Sequence, residues 1–213
     1  MPEFAHLLEG YRRFRREGYP QQRARFDRLS TEGQSPQLMI IACSDSRVDP
    51  SQIFDVDPGE IFVVRNVAAL VPPYETTPGH HGVSAAIEFA VQMLQVKQIV
   101  VMGHGMCGGC KAALTESFHG ASHGEGAFIA DWISMLDDAR VPVTEQFGTE
   151  GREAERAMEL AAVRLSLRNL LTFPWLKAKV DAGSLKMQGA FFAISEGVLY
   201  HLDSDMDEFV AVE

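Results

Sequence analysis

Three short apolar runs constrain what this chain can fold into. Leu38–Ala42, Ile61–Val64 and Gln98–Met102 are too brief for core helices and show no alternation of apolar with polar residues, so they read as strands buried on both faces. Val83–Leu94, between the second and third runs, has helical periodicity instead. Strands alternating with helices build right-handed crossover units and a parallel sheet, whose ligands gather beyond the carboxyl ends of the strands. The first run stops at Cys43-Ser44-Asp45-Ser46-Arg47 and the third runs into Gly103-His104-Gly105, so reactive side chains fall at that edge.

Phe128–Leu136 and Arg152–Leu171 also read as helices, the second opening with Glu153 and Glu155 and halted before Pro174. Gln188–Ile194 and Val198–Leu202, joined around Ser195-Glu196-Gly197, predict a terminal hairpin. Phe4, Leu7, Leu8, Tyr11 and Phe14 share one helix face in an arm whose stripe must cover something outside it, reasonably a partner subunit. The expected class is α/β: a central, mostly parallel sheet flanked by helices, with an N-terminal helical arm over 1–35 and one domain over 36–213 that ends in an edge hairpin.

A net charge of −10 disfavours nucleic acid as a partner, and the arginines from Arg12 to Arg28 read as a solvated or subunit-contacting helix face. No apolar stretch approaches the roughly 20 residues of a membrane span, so no membrane partner is expected. The first residues do not read as an export signal, and a cytoplasmic location is the expectation. Three cysteines in such a chain point to metal or nucleophile roles, since an odd count leaves one over and the cytosol keeps thiols reduced.

His104 and Cys107, three residues apart on a glycine-rich turn, can converge on one zinc ion, and Cys43 is the obvious third ligand from the neighbouring strand. A catalytic zinc site uses three protein ligands and keeps a fourth position for water. The competing arrangement is a closed structural site that adds Cys110. Asp45 and Arg47 favour the open one, because a structural knuckle needs no carboxylate and guanidinium beside a ligand. Two thiolates cancel the charge of the ion and make its water harder to ionise; Asp45 can accept a bond from that water, and a bidentate bond from Arg47 can hold Asp45 off the metal.

CSDSR from Cys43 to Arg47 and HGMCGG from His104 to Gly109, with PGEIFVVRNVAALVPPY from Pro58 and GVSAAIEFAV from Gly82 between them, resemble the signature blocks and intervening segments of the β-carbonic anhydrases, in family order. The resemblance spans residues 4–204 and implies that Cys43, His104 and Cys107 bind zinc and that Asp45 with Arg47 orients the zinc-bound water and gates the metal. It implies reversible hydration of carbon dioxide to bicarbonate by attack of zinc-bound hydroxide; because the thiolates weaken the acidity of the metal, the rate is expected to climb above neutral pH. It further implies a homodimer or a dimer of dimers, with the N-terminal helix embracing the partner.

By the same resemblance Gln34, Phe62, Phe89 and the amide of Gly108 bind substrate. The chain looks plant-like, yet Phe89 stands where many such members have tyrosine, and Cys110 where an aliphatic residue is usual. Ile40 replaces the tryptophan of members inhibited by bicarbonate at a second site, so no such site is expected despite Arg65. His80 and His81 are candidate proton shuttles by the ordinary titration range of histidine alone. Two competing readings are a hydrolase of carbon disulfide or carbonyl sulfide on the same scaffold, and a zinc-stapled interaction protein.

Overall fold

In the computed structural model, which describes residues 3–213, all three apolar runs are strands. A helical arm comes first: α1 (Phe4–Arg13), a π-helical turn over Phe14–Gly18, and α2 (Tyr19–Glu32). The sheet and its helices follow as β1 (Leu38–Cys43), α3 (Pro50–Ile53), β2 (Ile61–Asn66), α4 (Gly82–Glu88), β3 (Gln98–His104), α5 (Gly108–Leu114), α6 (Ala127–Ile133), α7 (Asp137–Phe147), α8 (Arg152–Leu170), α9 (Pro174–Asp181), β4 (Lys186–Ala193), β5 (Val198–Asp203) and β6 (Glu208–Ala211).

The strand order is β2-β1-β3-β4-β5-β6, parallel through β4 and antiparallel beyond it. Central β1 puts Ile40 and Ala42 into a core shared with α5, α7 and α8, while Met39 and Ile41 pack on the other face against Ile87, Val91 and Leu176. Both faces are therefore apolar, which is why β1 carries no polar alternation. The expected hairpin exists, but its first strand also extends the parallel sheet, and β6 adds an outer strand that the sequence reading lacked.

Close approaches bring the sheet and its helices together. A Cβ at Gly103 would lie 2.6 Å from Cγ2 of Val163, so only glycine lets α8 settle on β3 at this point. Val163 is buried and β-branched and cannot swing aside. Gly103→Ala is expected to destabilise the protein by about 1–3 kcal/mol through overpacking, read as a lower urea midpoint with an unchanged slope.

After β2 the chain turns through Ala68 and Ala69, both left-handed with φ of 63° and 55°. The Asn66 side chain clasps this turn, accepting from the amide of Leu70 and donating to its carbonyl, each at 2.8 Å. Ser166 and Asn169 of α8 bond the backbone of Ala69 and Val71, so the RLSLRNLL segment braces the loop beside the strand ends.

The arm packs differently. No residue of α1 or α2 is buried, and Phe4, Leu7 and Tyr11 are open to solvent in the single chain. Arg25 anchors α2 through Asp57 at 2.7 Å and Glu60 at 3.1 Å. No helix among the described residues is long and apolar enough to cross a membrane.

Candidate metal centre

The register of the sheet assembles the site. Cys43 ends β1 opposite Asn66 of β2, while Ala42 pairs with Met102 of β3, so His104 emerges beside Cys43 at the carboxyl edge. Beyond His104 the chain turns through Met106, whose φ of 57° is unusual for a side chain of that size, and delivers Cys107 just before α5. The ligand atoms of Cys43, His104 and Cys107 all lie within 4.8 Å of one another, and all three residues are buried.

His104 Nδ1 lies 2.9 Å from the carbonyl of Gly105, a contact that places the proton on Nδ1 and leaves the Nε2 lone pair free. That Nε2 is buried without a hydrogen-bond partner. A burial of this kind is costly unless something accepts the lone pair, and two sulfurs alongside it make a borderline-soft cation the fitting acceptor. The cysteines agree. Cys107 beside it and burial push the Cys43 thiol up to about 12, and Cys110 together with burial pushes Cys107 up to about 12, against a lowering contribution from Cys43. Thiols so crowded ionise only when a cation takes their charge, so the residues fit zinc. Cys110 is buried against Cys107 but stands outside the convergent group of Cys43, His104 and Cys107.

Asp45 stands over this cluster, its Oδ2 3.9 Å from His104 Nε2. Arg47 grips it at both oxygens, Nε to Oδ1 at 2.9 Å and Nη2 to Oδ2 at 2.7 Å, and the Arg47 amide adds a 2.9 Å bond to Oδ1. This grip holds the Asp45 carboxyl far below the usual range, so it stays ionised. Burial pushes the His104 imidazole down, but the Cys43 sulfur and the Asp45 charge outweigh it and leave it raised. Arg65 secures the loop by donating to the carbonyls of Cys43 at 2.8 Å and Asp45 at 2.6 Å, and it pairs with Asp49 at 2.9 Å. Its guanidinium is thus committed to the site's own backbone.

The substrate residues expected from the sequence divide. Gly108 opens α5 next to Cys107 and is exposed, with open space where a side chain would be. Gln34 and Phe62 share a different cleft with Pro58 and Gly59, and Phe89 stacks on Phe62 at 5.8 Å. Phe62 lies four positions before Asn66 on β2, roughly 13 Å from the metal edge at strand rise. Within one chain the structure does not bring this trio to the cluster. His80 and His81 border an apolar groove with Val67 and Trp132, and His81 is tied to Thr77 at 2.8 Å and Glu75 at 3.3 Å.

One residue of the site escaped sequence reading. Glu159, in the middle of α8, accepts the backbone N–H of Cys107 at 3.2 Å. Its signal was available: Ala162, Val163 and Ser166, at the helical spacings from Glu159, are all buried, so a carboxylate sits on the apolar face.

Fold and site together define an α/β protein with a mostly parallel sheet, at whose carboxyl edge two cysteines and a histidine converge as a group able to hold a metal ion. The family model described as carbonic anhydrase matches residues 38–199. A carbonic anhydrase from Synechocystis sp. is 32% identical over 206 residues, covering 96% of this chain and 73% of the relative. Among solved structures, the β-carbonic anhydrase CcaA superposes with a TM-score of 0.89 at 32% identity, over 99% of this chain and 92% of that one. Tetrameric β-carbonic anhydrases from Sordaria macrospora give a TM-score of 0.82 at 29% identity, over 93% of this chain and 96% of theirs. This chain belongs to the β-carbonic anhydrase family, and it is an enzyme of that family.

Proposed function

We propose that the protein interconverts carbon dioxide and bicarbonate at a zinc ion held by Cys43, His104 and Cys107, as a plant-like member of its family. The observation that carries this reading is the buried, unpartnered Nε2 of His104 facing two cysteine sulfurs, with an ionised Asp45 held just above them. Zinc bound there would supply the electrophile that acidifies water into a nucleophile. Asp45 accepts a bond from the attacking water and orients it, and Arg47 keeps that carboxylate from becoming a fourth ligand. Gly108 offers its amide to the substrate oxygens. Zinc analysis combined with stopped-flow hydration of carbon dioxide tests the reading. Turnover of carbon disulfide or carbonyl sulfide in place of carbon dioxide would transfer the site to the related hydrolases.

The position of Gln34, Phe62 and Phe89 supports a homodimer, or a dimer of dimers, in which they line the partner's metal site. Phe89 and Met93 are exposed on the single chain, as is the apolar stripe of α1, and a second copy covers such surfaces. The arm of residues 1–35 then embraces the partner while residues 36–213 hold the ligands. Three reduced cysteines suit the cytoplasm. The arrangement makes a sharp prediction for mixed dimers. An Asp45→Asn chain and a Phe62→Ala/Phe89→Ala chain, each poorly active alone, should together recover about a quarter of wild-type activity, because one site of each heterodimer is intact. No recovery on mixing would assign the trio to its own chain's metal.

A further inference from the structure

The peptide unit between Met106 and Cys107 is held from both sides by charged groups. Its carbonyl accepts from Arg47 Nη2 at 3.0 Å, and its N–H donates to Glu159 Oε1 at 3.2 Å. Both holders belong to ion pairs. Arg47 also grips Asp45, and Glu159 receives Arg152 at 2.9 Å on Oε2 and 3.2 Å on Oε1. The linkage therefore runs from Asp45 through Arg47, one peptide group and Glu159 to Arg152, alternating in charge.

Two features show that this peptide needs holding. Met106 is in the left-handed region, which a side chain of its size does not favour, so the turn does not keep its shape unaided. Glu159 is only 2% exposed, and a buried carboxylate is retained at a cost that its partners must offset. Arg152 is half exposed and would form an ion pair with Glu155 regardless. An ion pair that served only to fasten α8 had no need to reach the amide of a metal ligand.

We propose that Glu159, backed by Arg152, is a positioning residue for the metal centre: by fixing the Met106–Cys107 peptide it sets both the Cys107 sulfur and the guanidinium that restrains Asp45. This rests on the reading of Cys43, His104 and Cys107 as zinc ligands. Two conservative variants separate it from a purely structural role. Glu159→Gln keeps an acceptor for the Cys107 N–H and loses the charge. Glu159→Asp keeps the charge and withdraws the acceptor by one methylene.

The experiment measures transfer of zinc from the purified holoenzyme to a chromogenic chelator, together with the thiolate-to-metal absorption bands of the cobalt-substituted protein. Glu159→Asp is expected to release zinc at least about tenfold faster than wild type and to shift the cobalt bands, the usual penalty for losing an outer partner of a ligand. Glu159→Gln is expected to stay within about threefold of wild type, because the bond to the ligand's amide survives. If the ranking follows charge instead, with Gln worse than Asp, or if both variants release zinc at the wild-type rate while melting earlier, the role is structural and the proposal falls. Wild-type protein with no zinc and no thiolate-to-cobalt bands would overturn the metal reading itself, and the proposal with it.

Discussion

Alanine in place of His104 should leave the protein folded while removing its zinc and its turnover. The imidazole makes one internal hydrogen bond, to its neighbour's carbonyl, and its other nitrogen has no partner, so removing the buried ring leaves a cavity but breaks few polar contacts of the fold. The site loses one of three convergent ligands. Outer partners of a metal ligand cost 10–100-fold in affinity, and a ligand itself should cost more than about a hundredfold, enough to empty the site during purification. Zinc content per chain, with far-ultraviolet circular dichroism as a check on folding, reads the result. Cys110→Ser is the matched control. Its sulfur lies outside the convergent set, so zinc should stay at one per chain. A zinc-free Cys110→Ser protein beside a zinc-loaded His104→Ala protein would invert the ligand assignment.

Asp45→Asn should give the opposite pairing, with zinc retained and hydration of carbon dioxide reduced by about a hundredfold or more. An asparagine of the same shape presents an amide to a guanidinium that already fills both oxygens, so it turns away or offers the wrong group to the nucleophile. The same variant carries a stability signature. Arg47 depresses the Asp45 carboxyl in the folded protein, so the pair stabilises it fully above the unfolded carboxyl range near pH 4. That contribution fades as pH falls toward the depressed folded value. The gap in melting temperature between wild type and Asp45→Asn should therefore be present at pH 7 and close in strong acid. A gap that widened as pH fell would contradict the pairing.

How far the sequence was legible follows from where side chains and backbone agree. β1, β2 and β3 were readable because burial on both faces demands unbroken apolar runs, yet each was read short. Ladder pairing continues through Cys43, through Arg65 and Asn66, and through Gly103 and His104, residues that end an apolar run without ending a strand. α7 was hidden by Pro142 within it, and β6 by its brevity and exposure. The convergence of Cys43, His104 and Cys107 and the Asp45–Arg47 pair were legible because their residues lie in two short blocks. For Glu159 only its place on the apolar face of α8 was legible, and its partner was not, because the amide it serves lies 52 residues away in sequence. The separation of Gln34, Phe62 and Phe89 from the metal cluster was invisible for a related reason: a family motif names residues for a pocket, and not where the fold of a single chain puts them.

The order of the strands has a consequence for biosynthesis. The three residues proposed to hold zinc are all encoded by residue 107, but β3 gains its second neighbour only when β4 arrives at Lys186, and α8 and β4 both come from the last third of the chain. A ribosome therefore exposes the full ligand set well before the elements that cover and brace it. Parallel pairings of such long sequence separation are slow to form. During that interval two thiols and an imidazole sit on an open sheet edge, within reach of any thiol-seeking ion in the cell, so selection of the right metal is a problem the nascent chain faces before the finished enzyme does.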